Sequence, residues 1–284
     1  MKILGKNILL TLSILAAVTI SFLQVQAAPL TGSQFWDQLN TFDQSRWAKS
    51  DGWSNGLPFI VGWRADHIVH SNGFMTLNLN NTACPGGCSG QKYASGEYRS
   101  LDFYGYGCYA ASLKAASGSG LDLAFFTYKG PSDVPPGGNG SHNEVDVEIL
   151  GKNTTQVQFT YFTNDRQGHE YLANLGFDAA AAFHTYAFKW TESGIQWYVD
   201  GHLLHSVTST AGDPTPLTTS GGPHKIMMNF WACSDIDPLN PWCYPFTYSG
   251  QQQAQFDWVK YQPGSACVAA GNNQIYLPFV LKAQ

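Results

Sequence analysis

The chain has 284 residues, enough for one large domain or two small ones, and 44% of them are hydrophobic, so a sizeable core can form. Only 12% are charged, about half the ordinary share, and the formal net charge is −5. With no basic patch visible, the balance argues against nucleic acid or another polyanion as partner. Aromatic residues reach 14%, with nine Trp and fourteen Tyr, which suits a ligand read by stacking and hydrogen bonding.

The first elements are a targeting segment. Lys2 and Lys6 form a short positive region, residues 8–25 are nearly all apolar, and Gln24-Val25-Gln26-Ala27 offers small residues at the spacing for cleavage after Ala27 or Ala28. The alternative is a membrane anchor, since the apolar run approaches the spanning length of about 18 residues. Ser13, Thr19 and Ser21 dilute the run, and the small-residue exit follows directly. The expected product is secreted and extracellular, with no membrane association once the leader is removed. Its parts are a signal peptide at 1–27, one domain at 28–262 and a C-terminal tail at 263–284.

Export fits the cysteines. Cys84, Cys88, Cys108, Cys233, Cys243 and Cys267 make an even set for an oxidising compartment. Local spacing favours Cys84–Cys88 and Cys233–Cys243, which leaves Cys108 with Cys267. A zinc site is the rival reading, but the clusters are far apart and no His shares their spacing.

Beyond the leader the chain reads as short strands joined by polar, Gly-rich turns. The predicted strands are 74–80, 96–100, 105–114, 121–128, 144–150, 156–163, 184–191, 195–199, 203–208, 224–231 and 255–261. Hairpins are predicted at Glu192-Ser193-Gly194 and Asp200-Gly201. Many strands, frequent turns and no long amphipathic helix indicate an all-β sandwich or jelly roll. The loop at 131–141 leads into the 144–150 strand and either shapes access to a site or is an inert insertion.

That strand carries the chemistry. In Glu144-Val145-Asp146-Val147-Glu148-Ile149, carboxylates alternate with β-branched residues, so Glu144, Asp146 and Glu148 line one face and the apolar residues the other. A row of like charges is costly, because each carboxylate raises the pKa of its neighbours. Retaining cleavage of a glycosidic bond needs a nucleophilic carboxylate and a proton-donating acid about 5–5.5 Å apart. Residues i and i+4 of a flat strand have Cα atoms about 13 Å apart. Two long Glu side chains leaning together on a concave sheet close most of that gap. Asp146 is too short to reach the same depth, and can hydrogen-bond one Glu and raise the pKa of the proton donor. The rival reading is calcium held by the three carboxylates, but calcium prefers a wrapping loop to ligands in a line.

The motif Glu144-Val-Asp-Val-Glu148, followed by Ile149-Leu-Gly151, resembles the E-x-D-x-E signature of glycoside hydrolase family 16, and most nearly the bacterial lichenases, endo-β-1,3-1,4-glucanases. The resemblance runs from about Phe35 to Tyr261. It includes Asp51-Gly-Trp-Ser-Asn-Gly56, Glu97-Tyr-Arg-Ser100, Phe125-Phe-Thr-Tyr128, Trp197-Tyr-Val-Asp-Gly201 and Lys225-Ile-Met-Met-Asn229. It implies a jelly roll of two curved antiparallel sheets with a concave substrate cleft. It also implies Glu144 as nucleophile, Glu148 as general acid/base and Asp146 as the assisting carboxylate.

For sugar binding it implies hydrogen bonds from Asn55, Glu97, Arg99, Tyr128 and Asn229, and stacking on Phe126 and Trp231. Other readings exist: an ion pair for Glu97 and Arg99, and ordinary core for Phe126 and Trp231. No cofactor is implied for catalysis. A structural calcium would use Asp257 and a backbone carbonyl of Gly73, although a lone Asp in a strand is more often a surface residue.

The chain also departs from the pattern. His142-Asn143 stands where lichenases carry Trp-Asp, Thr160 and Phe162 replace an Asn and a Tyr, and Gly62 and Ser95 occupy the positions of the family's usual disulfide. Trp242 is in place to substitute for a family Trp. The expected activity is endo-hydrolysis of mixed-linkage β-glucan by a monomer. The alternatives are a laminarin- or xyloglucan-type hydrolase or transglycosylase of the same family, and a non-catalytic carbohydrate-binding jelly roll.

Overall fold

The computed structural model describes residues 32–81, 89–166, 168–216, 221–234, 242–243 and 245–264. The leader, the Cys84–Cys88 pair, Cys267 and the tail from 265 lie outside the described residues.

Seventeen strands are present among the described residues. They are β1 (Phe35–Asp37), β2 (Trp47–Lys49), β3 (Val61–Trp63), β4 (Ile68–Ser71), β5 (Phe74–Asn80), β6 (Tyr93–Ser95), β7 (Glu97–Ser100), β8 (Gly107–Lys114) and β9 (Leu121–Lys129). The rest are β10 (Asn143–Leu150), β11 (Gln156–Phe162), β12 (Tyr171–Asn174), β13 (His184–Thr191), β14 (Gly194–Val199), β15 (His202–Thr208), β16 (Lys225–Ala232) and β17 (Gln252–Pro263). All eleven predicted strands appear within a few residues of their expected bounds. The six additional ones, β1, β2, β3, β4, β6 and β12, have three or four residues each, too few for a two-residue period to show.

The strands form a jelly-roll sandwich of two sheets. One has the order β12-β11-β10-β9-β16-β7-β2, and the other β15-β14-β13-β8-β17-β5-β6-β3, with β1 added to β17 and β4 to β5. Pairing is antiparallel, as expected of this jelly roll, save one short edge pair where β3 and β6 run parallel. The Asp200-Gly201 turn has φ of 48° and 78°, the positive pair that a two-residue hairpin needs.

Alternation decides which side chains meet between the sheets. Val145, Val147 and Ile149 of β10, Phe125 of β9 and Met228 of β16 are all buried, facing Phe188, Trp190 and Trp197 from the other sheet. Rings cross the gap at Phe125–Phe188, 5.8 Å, and Phe159–Trp197, 5.6 Å. The indole Nε1 of Trp197 donates to the backbone oxygen of Asp146 at 2.9 Å, so the opposite sheet grips β10 at its midpoint. Cys233 and Cys243 are bonded as predicted. Cys108 is disulfide-bonded too, and its predicted partner lies outside the described residues.

Candidate active site

With Val145, Val147 and Ile149 committed to the core, the two-residue period sends Glu144, Asp146 and Glu148 to the opposite face of the seven-stranded sheet. β10 lies inside that sheet between β9 and β11. Glu144 is flanked by Tyr128 and Phe162, Asp146 by Phe126 and Thr160, and Glu148 by Ala124 and Gln158. The next strand on this face, β16, brings Lys225, Met227, Asn229 and Trp231, and β7 brings Arg99 and Glu97. One strand order thus gathers the carboxylate row and every predicted sugar contact except Asn55 onto one face.

The three carboxyls have different surroundings. Glu144 accepts a hydrogen bond from His142 Nε2, and the imidazole lies between the rings of Phe162 and Tyr128, at 4.8 and 5.4 Å. Burial alone would depress the imidazolium, but the hydrogen bond and charge of Glu144 outweigh it, and the net shift is upward. Asp146 is 2% exposed, and its Oδ2 has no hydrogen-bond partner. Burial, then the charges of Glu144 and Glu148, push this carboxyl well up. A protonated Asp146 can donate towards Glu144, which an ionised one cannot.

Glu148 Oε2 accepts from Gln158 Nε2 at 2.8 Å and from Thr160 Oγ1 at 3.0 Å. Burial and then the Glu144 charge raise it, the two donors hold part of the shift back, and it stands at about 7. A carboxyl protonated near neutrality beside one hydrogen-bonded to an imidazole is the division of labour that acid-assisted displacement needs.

Several of the predicted sugar contacts have partners within the protein, and the rival Glu97–Arg99 ion pair is not formed. Arg99 does not pair with Glu97; it bonds Asp133, which Lys225 Nζ also approaches at 3.3 Å. Asp133 belongs to the 131–141 loop and is 7% exposed, so this loop is tied to the cleft floor by two cations. Glu97 is 2% exposed, takes Ser50 Oγ at 2.7 Å and Asn229 Nδ2 at 3.4 Å, and is raised by burial.

Trp231 is no open stacking platform. Phe59 covers it at 3.9 Å and Trp242 stacks on it at 5.9 Å, leaving it 4% exposed. Phe126, 7% exposed, packs with Ala124 and Met227, with Tyr128 against them, in a small apolar patch on the cleft face. Asn55 is exposed on a separate loop and accepts from Trp63 Nε1 at 2.5 Å. Trp53, 37% exposed, packs edge-on to the same Trp63 ring.

The sequence reading missed Gln158, which lies on the cleft face by alternation along β11 yet carries no charge to mark it. It also gave no role to Asp122, a lone acid in the apolar run Leu121-Asp122-Leu123.

Asp257 is the extra residue where the β17 register shifts between Phe256 and Trp258. Phe256 pairs with Met75, two residues after Gly73, whose φ of 82° closes the β4–β5 turn. The bulge and the turn are therefore neighbours. Among the described residues no three His, Cys, Asp or Glu side chains converge as a metal site. Calcium held here would rest on one carboxylate, backbone carbonyls and water.

A β-sandwich whose open face aligns two glutamates, one bonded to an imidazole and the other poised near neutrality, has the parts of a retaining glycoside hydrolase. The family model "Glycosyl hydrolases family 16" matches residues 56–260, and the chain belongs to that family. It is 42% identical over 253 residues to a β-glucanase of Paenibacillus polymyxa, covering 88% of this chain and 95% of that one. The fold is similar to the Bacillus licheniformis β-glucanase, with TM-score 0.71 and 38% identity over 82% of this chain and 100% of the other. It is equally similar to a prokaryotic β-1,3-1,4-glucanase (lichenase) from a mouse hindgut metagenome, with TM-score 0.72, 36% identity and the same coverage. The chain is a retaining glycoside hydrolase of the β-glucanase type.

Proposed function

We propose that Glu144 is the nucleophile and Glu148 the general acid/base in endo-hydrolysis of mixed-linkage β-1,3-1,4-glucan. In the first step Glu148 gives its proton to the glycosidic oxygen as the Glu144 carboxylate attacks the anomeric carbon. The C–O bond breaks, and the sugar is left as an ester of Glu144. In the second step the Glu148 carboxylate takes a proton from water. The water oxygen displaces Glu144, and two inversions give net retention. Asp146, held protonated between them, donates towards Glu144 and steadies it.

The observation that carries this reading is the pair on one face of β10: Glu144 bonded to His142, and Glu148 raised to about 7. The lichenase named above supports the linkage preference. The test is reducing-sugar release from barley glucan, laminarin and xyloglucan by wild type, Glu144→Gln and Glu148→Gln. Barley glucan should be the preferred substrate, and each variant should lose about 10³-fold or more in kcat while staying folded. Near-normal turnover by either variant removes its assigned role. Products transferred to an added oligosaccharide instead of water would mark a transglycosylase.

The protein acts outside the cell as a monomer. The leader pattern and the Cys233–Cys243 bond support export. Among the described residues no helix is long and apolar enough to cross a membrane. N-terminal sequencing of the exported protein should begin at residue 28 or 29, and gel filtration should give the mass of one chain. Calcium bound by Asp257 and the Gly73 turn would stabilise the sandwich from its far side. Added calcium should then raise the melting temperature, and Asp257→Ala should abolish that rise.

A further inference from the structure

Asp122 has no place in the reaction scheme above. It lies on β9, directly opposite Trp231 of β16 and Leu150 of β10, two residues before Ala124, which faces Glu148. Alternation puts Asp122 and Ala124 on the cleft face, so Asp122 is the diagonal neighbour of Glu148. Ala124 contributes only a methyl group, so the Glu148 side chain can lean over it. Trp231, with Trp242 stacked on it, adjoins this end of the face, and Asp122 is 0% exposed. Neither of its oxygens has a hydrogen bond of ordinary geometry.

A buried acid whose oxygens lack well-formed hydrogen bonds cannot remain ionised without great cost. Burial and then the Glu148 charge push Asp122 well up; the approach of the Trp231 indole opposes this only in part. The other charges near this cluster are carboxylates as well: Asp146, which feels Asp122, and Glu144 and Glu170, which act on Glu148. The basic groups nearby serve the outer carboxylates: His142 bonds Glu144, and Lys152, bonded to the Trp242 backbone oxygen, faces Glu170. A neutral carboxyl has one hydrogen to donate, and the acceptor beside it is Glu148.

We propose that Asp122 is a positioning residue that donates a carboxyl hydrogen to Glu148 and holds the acid/base in its working orientation. Gln158 and Thr160 engage Glu148 from β11, and Asp122 engages it from β9, so the side chain is held from both neighbouring strands. The donated hydrogen bond is strongest when Glu148 is ionised, which is its state after it has protonated the leaving group.

The proposal rests on Glu148 being the acid/base, so Glu148→Gln is the control. Kinetics on barley glucan across pH compare wild type, Asp122→Asn and Asp122→Val. The amide of Asn keeps a neutral donor. Asp122→Asn should lose no more than about threefold in kcat and keep the alkaline limb in place. Val has no donor. Asp122→Val should lose about tenfold in kcat and move the alkaline limb up by about half a unit or more, because the Glu148 carboxylate has lost a stabilising partner.

Three results overturn the proposal: both limbs moving down, which means Asp122 is ionised; equal losses in the two variants, which means the donor is irrelevant; and no change in either. If Asp122→Val does not fold, infrared spectra of wild type and Asp122→Asn at neutral pH decide the matter. The protonated-carboxyl band must weaken in Asp122→Asn, and an unchanged band refutes the proposal. An active Glu148→Gln would remove the underlying reading as well. An inactive Glu148→Gln with unshifted Asp122 variants would remove this inference alone.

Discussion

The indole Nε1 of Trp242 donates to Gln158 Oε1 at 2.7 Å. With its oxygen occupied, the Gln158 amide must turn its nitrogen towards Glu148, where it donates at 2.8 Å. Trp242 sits next to Cys243, inside the loop closed by the Cys233–Cys243 bond. A disulfide loop thereby sets the orientation of an amide that supports the acid/base. Trp242→Phe keeps the ring and removes the donor, freeing the amide to flip. The loss of one oriented hydrogen bond, about 1 kcal/mol, should lower kcat about fivefold. The alkaline limb should also move up. A pH series with kcat and KM resolved separately checks this; a change in KM alone would make Trp242 a sugar contact only.

Glu148 must be protonated to act as the acid. With its carboxyl raised from 4.5 to about 7, the alkaline limb of the profile should fall as pH rises through that value, while ionisation of the nucleophile Glu144 sets the acid limb. Stability has the same sign. A carboxyl raised in the folded state favours folding below its unfolded pKa, and that advantage disappears as pH climbs through the folded value. Glu148→Gln should therefore be more stable relative to wild type at pH 8 than at pH 4. Thermal melts of both proteins at the two pH values provide the comparison.

His142 gives the opposite pairing, a cation gaining a carboxylate. Its net shift is upward, so the His142–Glu144 contact stabilises the fold fully below the ordinary imidazole value of 6.5 and loses that effect as pH rises past the folded value. His142→Ala should lower the melting temperature more at pH 5.5 than at pH 8.5. An equal drop at both would mean that only the packing between Tyr128 and Phe162 matters.

Trp197 reaches across the core to the Asp146 carbonyl. Trp197→Phe removes that donor and part of a buried ring, and should cost about 1–3 kcal/mol. At about 2–4 °C per kcal/mol for a domain of this size, the melting temperature should fall measurably. Because the bond holds the middle of β10, kcat should fall as well. A loss of stability with unchanged kcat would show that the strand is fixed by its sheet neighbours alone.

The sequence by itself determined the strand that carries the reaction, because a two-residue period leaves no other way to place Glu144, Asp146 and Glu148 opposite Val145, Val147 and Ile149. Local composition also decided the all-β class, the Asp200-Gly201 hairpin and the Cys233–Cys243 bond, since each depends on residues close together in the chain. Only the tertiary structure decided who touches whom across strands. Arg99 finds Asp133 rather than Glu97, the faces of Trp231 are taken by Phe59 and Trp242, and Asp122 comes to lie beside Glu148. Those neighbours are set by strand order and register, which follow from how the whole core packs and leave no periodic mark in any short stretch of sequence.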